Sequence, residues 1–170
     1  RQSETMTELD PLTEQQVHLF LRIDAAMPTD PVLRAAAEFW LKKRQGKVRP
    51  SQEDMAQLPE FIRPHVFKAQ LAINGDRRWI VSRAGNVARL ALGIEGHEPG
   101  EVANERIAVR LRHLFDLVLH KDEPYSVMFE VKEDPGKPHL VEVYAAPLAT
   151  PERPEHHVIA VLTSRAEAQR

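Results

Sequence analysis

The order of apolar patterns along the chain predicts an α+β fold in which helices flank an antiparallel sheet of five strands. Three observations predict it. Two adjacent strand patterns after residue 64 are split by one tight turn, a glycine-punctuated stretch with a long amphipathic helix follows, and three more strand patterns then run nearly to the C-terminus with no helix among them. The expected connectivity is 2-1-5-4-3, with the segment between the second and third strands laid across one face.

At the N-terminus, residues 1–10 are polar, and Leu12, Val17, Phe20, Leu21 and Ile23 then recur at helical spacing, which predicts a first helix capped by Asp10 or Thr13. Pro28 and Pro31 interrupt it. Thr29 or Asp30 caps a second helix with Pro31 in its first position, where the missing N–H costs nothing. Its apolar stripe is Leu33, Ala36, Ala37, Trp40 and Leu41, and it ends in Lys42, Lys43 and Arg44, whose charge suits the C-terminal dipole, before Gly46. Ser51 with Asp54 three residues on predicts a capped short helix through about Gln57, closed by Pro59.

Phe67, Ala69, Leu71 and Ile73 alternate with Lys68, Gln70 and Ala72, the period of a strand over residues 65–73. Asn74-Gly75-Asp76 is a hairpin turn, since Asn and Gly tolerate positive φ, and Trp79, Ile80 and Val81 continue as the second strand. Residues 86–92 make two helical turns that stop at Gly93, and Gly96, Pro99 and Gly100 keep the next stretch irregular. The longest helix covers residues 104–119, with Ile107, Leu111, Leu114, Phe115 and Val118 on one face. Tyr125, Val127, Phe129 and Val131 then alternate with Ser126, Met128, Glu130 and Lys132 as a half-buried third strand. Asp134-Pro135-Gly136 turns the chain into a fourth strand over residues 140–148, where Glu142 marks the more solvated face. A proline-bearing loop at 150–155 leads to a fifth strand over residues 156–163.

Composition bounds the function classes. A length of 170 residues with 42% apolar and 28% charged residues fits one globular core. The net charge of −2 offers no basic stripe for phosphate backbones, so nucleic acid is not an expected partner. The absence of cysteine excludes disulfides, thiolate catalysis and cysteine-ligated metal sites and fits a reducing compartment, so a cytoplasmic location is expected. The longest apolar runs, at 145–148 and 158–162, fall far below the roughly 20 residues that span a bilayer, and no secretory leader pattern opens the sequence as given. No membrane span is expected.

Motif chemistry is sparse. Eight histidines (His18, His65, His97, His113, His120, His139, His156, His157) are scattered without metal-ligand spacing, and His156 and His157 would point to opposite faces of a strand, so no metal site is expected. Arg106, Arg110 and His113 share a helix and fit its solvated face. Ser82 and Ser126 lack the Gly-x-Ser-x-Gly signature of a nucleophile elbow. Glu53 with Asp54, and Glu130 with Glu142, sit where caps and cross-strand partners of Lys132 belong. No catalytic residue is assigned.

Candidate ligand contacts remain. Arg83, leaving a strand beside Gly85 and Asn86, could fork onto a carboxylate or phosphate or tie down an acidic loop. Trp79, Phe129 and Tyr144 fall on three predicted strands and could line a concave sheet face, with Phe115 of the long helix over it.

Local sequence adds a resemblance. The run Phe39-Trp40-Leu41, Arg44-Gln45-Gly46, Pro50-Ser51, Leu58-Pro59 and Ile62-Arg63-Pro64-His65-Val66 precedes the first of the five strands. Arg83-Ala84-Gly85-Asn86, Leu92-Gly93-Ile94-Glu95-Gly96, residues 121–124 and Ala145-Ala146-Pro147-Leu148 follow in order. Over about residues 33–165 this resembles the PAS family, in particular a subfamily common in alphaproteobacteria. The resemblance implies an N-terminal helical extension and lead-in at 1–58, a PAS-like domain at 59–165 and a short tail at 166–170. It also implies a non-catalytic sensory or protein-interaction module of bacterial signalling, a homodimer that binds a small ligand, a signalling partner, or both. The cofactor stays unassigned: no cysteine is present for a flavin bond, and no histidine falls at the helix position of haem-binding members. Two other readings stand beside it. One is a small acid–base enzyme of a cone-shaped α+β fold, which needs an acid or tyrosine deep in a closed pocket; the other is an adaptor with a filled core.

Overall fold

The computed structural model describes residues 19–25, 27–44, 46, 48–74, 76–94, 99–134, 137–149 and 157–166. The caps written in the sequence set the helix starts. Asp30 accepts hydrogen bonds from the backbone N–H groups of Val32 (2.9 Å) and Leu33 (3.1 Å), with Pro31 in the first turn of α1 (Pro31–Lys43). Ser51 and Asp54 form a reciprocal capping box on α2 (Gln52–Met55), which stops sooner than the sequence pattern expects. A 3-10 turn (Arg63–His65) leads into β2 (Val66–Asn74), and β3 (Asp76–Ala84) pairs back along it. Helix α3 (Asn86–Leu92) ends at Gly93, whose φ of +70° allows the Ile94 N–H to reach the Arg89 carbonyl at 3.0 Å. Asn104 caps α4 (Glu105–Lys121). Strands β4 (Tyr125–Asp134), β5 (Lys137–Pro147) and β6 (His157–Ala166) follow.

One strand was not expected. Residues 22–24 form β1 (Arg22–Asp24), antiparallel to β4 with Ile23 opposite Val127, where the sequence pattern predicts helix. The remainder of that predicted helix, residues 12–18, lies outside the described residues. The physical reason is the edge of β4, whose free carbonyl and N–H groups are an open template for pairing, and the Leu21 N–H takes the Met128 carbonyl at 2.7 Å. Phe20 meanwhile turns onto Phe129, ring centroids 6.3 Å apart.

All six strands are antiparallel neighbours in the order β1-β4-β5-β6-β2-β3. Counting only the five predicted strands, this is the expected 2-1-5-4-3, with β1 added outside β4. The fold is therefore α+β on a six-stranded sheet.

The sheet separates two apolar cores. On its inner face, α3 and α4 press Leu92, Ile107, Leu114, Phe115 and Val118 against Phe67, Phe129, Val143 and Leu162. On its outer face, Leu33, Ala37 and Trp40 of α1 and Met55 of α2 pack with Leu58, Ile62, Tyr144, Ala146 and Ile159. Trp40 is buried, and its indole N–H donates to the Pro147 carbonyl at 3.0 Å, a carbonyl at the end of β5. Hiding an aromatic of this size removes on the order of 200 Å² from water, roughly 5 kcal/mol at about 25 cal/mol per Å². Helices α1 and α2 therefore contribute a layer to the fold.

A second expectation is corrected at Glu142. The strand pattern puts it on the solvated face, but the outer face at β5 is covered and Glu142 is only 5% exposed. Burial there follows from α1 packed over the outer face and from Arg22 of β1 reaching across β4 to the carboxylate, which no strand period reveals. No helix among the described residues is long and apolar enough to cross a membrane.

Candidate functional site

The inner face carries a groove where the ends of the two helices diverge from the sheet. Ala91 of α3, Ile107 of α4, Val131 of β4 and Val141 of β5 form its apolar wall, and His139 and Ser164 bring polar groups to it. Its volume is about 340 Å³. That lies at the lower end of the roughly 300–1,000 Å³ typical of small-molecule sites, which are likewise apolar with few polar groups. Helix α4 holds one wall because its i, i+4 stripe (Ile107, Leu111, Phe115) faces the sheet. The alternation of β4 and β5 supplies the other: Val131 pairs with His139, and Val141 with Phe129.

The aromatic residues singled out in the sequence divide between the faces. Trp79 stacks edge-on against Phe115 with centroids 5.0 Å apart, Phe67 lies 6.1 Å from the same ring, and Phe129 contacts Phe20. The Trp79 indole N–H donates to Asp116 Oδ1 at 3.1 Å. These rings pack on each other, and the cleft that Trp79 and Phe115 line with Arg78, Glu101 and Arg112 holds about 90 Å³, room for about three waters at roughly 30 Å³ each. Tyr144 is on the outer face, across the sheet from Phe129, because residues 143 and 144 of β5 point to opposite sides. The four rings do not line one concave surface.

Tyr144 instead walls a cavity of about 360 Å³ with Met27, Pro28, Ala37, Leu41 and Glu123. Its hydroxyl is buried without a hydrogen-bond partner among the described residues, and burial pushes the phenol far above its ordinary range. Beside it, Arg44 holds Glu123 through two contacts of 3.1 and 3.3 Å and lies over the Trp40 ring, 5.2 Å from its centroid. The Glu123 hydrogen bond raises the Arg44 pKa further. Arg49 binds Asp122 at 2.7 Å. These two pairs fasten the segment after α1 to the turn after α4.

Arg83 and Asn86 lie near each other in sequence but serve different surroundings. Asn86 accepts a hydrogen bond from Arg89 at 2.8 Å on the exposed side of α3. Arg83 opens onto an outer-face cleft with Lys68 and Ile159. Between them, Gly85 passes so close to the 3-10 turn that a β-carbon there would fall 2.6 Å from the Pro64 carbonyl oxygen.

Glu142 is the buried carboxylate among the described residues. Its pKa is raised, first by burial and then by Asp30, against the pull of Arg22 (3.4 Å) and Arg165 (3.6 Å). It lies between guanidinium groups and lines none of the four cavities described here. On α4, burial lowers the His113 pKa, while Arg110 spans from the Leu19 carbonyl (2.8 Å) to the Phe129 ring (5.5 Å). His65 Nδ1 lies 2.9 Å from the Leu162 carbonyl. Among the described residues no three His, Asp or Glu side chains converge as a metal site would require.

The groove residues Ala91, Val131, His139 and Val141 escaped the sequence reading. Alternation gives the face of the three strand residues but not their pairing: Asp134 is opposite Lys137, which in unbroken register would set 131 opposite 140, and the irregularity between Lys132 and Asp134 sets Val131 opposite His139 instead.

The geometry defines a class, an α+β protein with one antiparallel sheet and cavities on both faces. Comparison with protein-family models, curated proteins and solved structures found no match to this chain.

Proposed function

We propose that the chain is a PAS-type sensory or protein-interaction module of bacterial signalling that takes a small ligand in its inner groove and works as a homodimer without catalysing a reaction. The observation that carries this reading is the strand order 2-1-5-4-3 with the segment between β3 and β4, ending in α4, laid across the inner face. That arrangement accompanies the ordered local resemblances described above, and the groove of about 340 Å³ supplies a place for a ligand of modest size. The ligand chemistry that fits is an apolar body against Ile107, Val131 and Val141 with a polar end toward His139 and Ser164. A bound molecule that changes the seating of α3 or α4 would alter the surface offered to a partner, which is how a module without its own catalytic group would pass on a signal.

Native mass spectrometry of the purified protein tests it. The expected result is a dimer that retains a small molecule or acquires one from a mixed metabolite extract, with loss of that species in an Ala91→Trp variant whose ring fills the groove. A monomer that binds nothing in either form overturns the reading.

A further inference from the structure

On the outer face, a bulge between β2 and β3 sets two cations against each other. The pairing register shifts between Lys68 and Ala69, so that Lys68 is opposite Arg83 while Ala69 is opposite Val81, leaving Ser82 as the extra residue. Like charges directly opposite on a sheet are destabilising, and bulges recur where a side chain is re-aimed beside a site. Neither cation forms an ion pair with a carboxylate among the described residues. Arg63, nearby, is committed to the carbonyls of Leu58 (3.1 Å) and Ala56 (3.2 Å).

Lys68 and Arg83 border a cleft of about 350 Å³ whose remaining wall includes Met55, Leu58, Val66 and Ile159. Lys68 is half-buried there, and burial, then Arg83, lowers its pKa. A fold that holds a partly desolvated ammonium opposite a guanidinium, over an aliphatic wall, carries an electrostatic cost that one counter-anion would remove. Arg83 can fork onto two oxygens while Lys68 adds a point charge.

We infer that this cleft is a binding site for an amphiphilic organic anion, with a carboxylate or phosphate head between Lys68 and Arg83 and an apolar body against Met55, Leu58 and Ile159. The site is on the face of the sheet opposite the inner groove and needs nothing from the sensory reading.

The probes are octanoate, octyl phosphate, 1-octanol and inorganic phosphate, measured by titration calorimetry and by the rise in melting temperature of the full chain. Octanoate or octyl phosphate is expected to bind saturably and raise the melting temperature, with the stronger of the two identifying the head group. Octanol and inorganic phosphate should each bind at least tenfold more weakly, because each lacks half of the match. Arg83→Gln should lower the affinity for the preferred anion at least tenfold with an unchanged far-UV spectrum. Lys68→Met should do the same while melting higher than the native chain in the absence of ligand, since it removes a cost that only the anion offsets. Octanol binding as well as octanoate, or anion binding that survives both substitutions, overturns the site. So does a Lys68→Met chain that melts lower without ligand, because Lys68 would then have its counter-charge within the protein.

Discussion

Glu142 shows how a single side chain can be buried at a cost and still be held. Its folded pKa lies above the ordinary 4.5 because burial and Asp30 together outweigh Arg22 and Arg165. For a group shifted in this direction, the stabilisation that comes with protonation is complete below 4.5 and is lost as pH rises through the higher folded value. Replacing it with Gln keeps the shape and leaves the two arginines, which are 41% and 62% exposed, able to reach water. Glu142→Gln should therefore change stability at pH 7 by no more than about 1 kcal/mol. The native chain should gain on the variant as the pH is lowered toward 4.5, a difference read from urea unfolding at a series of pH values. Parallel curves for the two proteins would show that Glu142 does not titrate in that window. The alternation of β5 in the sequence correctly set Glu142 opposite Val141 and Val143, but alternation gives only the face. Whether that face meets water depended on β1 and α1, residues more than 90 positions earlier in the chain.

At the scale of elements, caps and periods were the legible part. Asp30, Ser51 with Asp54, Gly93 and Asn104 each start or stop a helix by a hydrogen bond within a few residues, so their chemistry can be read locally. β1 was illegible for the converse reason: three residues carry too little pattern, and their strand form comes from the vacant edge of β4. Gly85 belongs with β1. Its φ of −69° suits any residue, and in an open loop Gly→Ala at such an angle would stabilise by up to about 1 kcal/mol. Here the added methyl would meet the Pro64 carbonyl group of the 3-10 turn, with its oxygen at 2.6 Å and its carbon at 2.7 Å. Gly85→Ala is thus expected to destabilise by about 1–3 kcal/mol, as overpacking does. Chemical denaturation of the variant decides between the two signs.

Across the whole molecule, the two cores share one sheet, and each contains one tryptophan: Trp79 borders the inner core and Trp40 lies in the outer. The sequence reading sets the first 58 residues apart as an extension. The burial of Leu33, Ala37 and Trp40 against β5 and β6 instead predicts that the outer layer unfolds together with the sheet. In a Trp79→Phe variant, whose fluorescence comes from Trp40 alone, the denaturation midpoint by fluorescence should coincide with that by far-UV circular dichroism. A fluorescence midpoint at clearly lower denaturant would mean that α1 leaves first and that the extension is a separate unit. The candidate site divides at this scale as well. Arg83 borders a cleft, and its facing with Lys68 was hidden, because a bulge changes which residues are opposite each other and leaves no mark in the apolar period. Tyr144 borders a cavity on the outer face, whereas Phe129 is packed within the inner core.

By itself the sequence determined the four helices of the described residues, the five long strands, the antiparallel class and the expected strand order, because those follow from side-chain period and turn chemistry within short windows. Tertiary structure alone decided the sixth strand, the burial of Glu142, the facing of Lys68 with Arg83, and the walls of each cavity. All of these depend on which distant residues are brought to one surface, and that is fixed by the packing of α1 and α4 on opposite faces of a shared sheet.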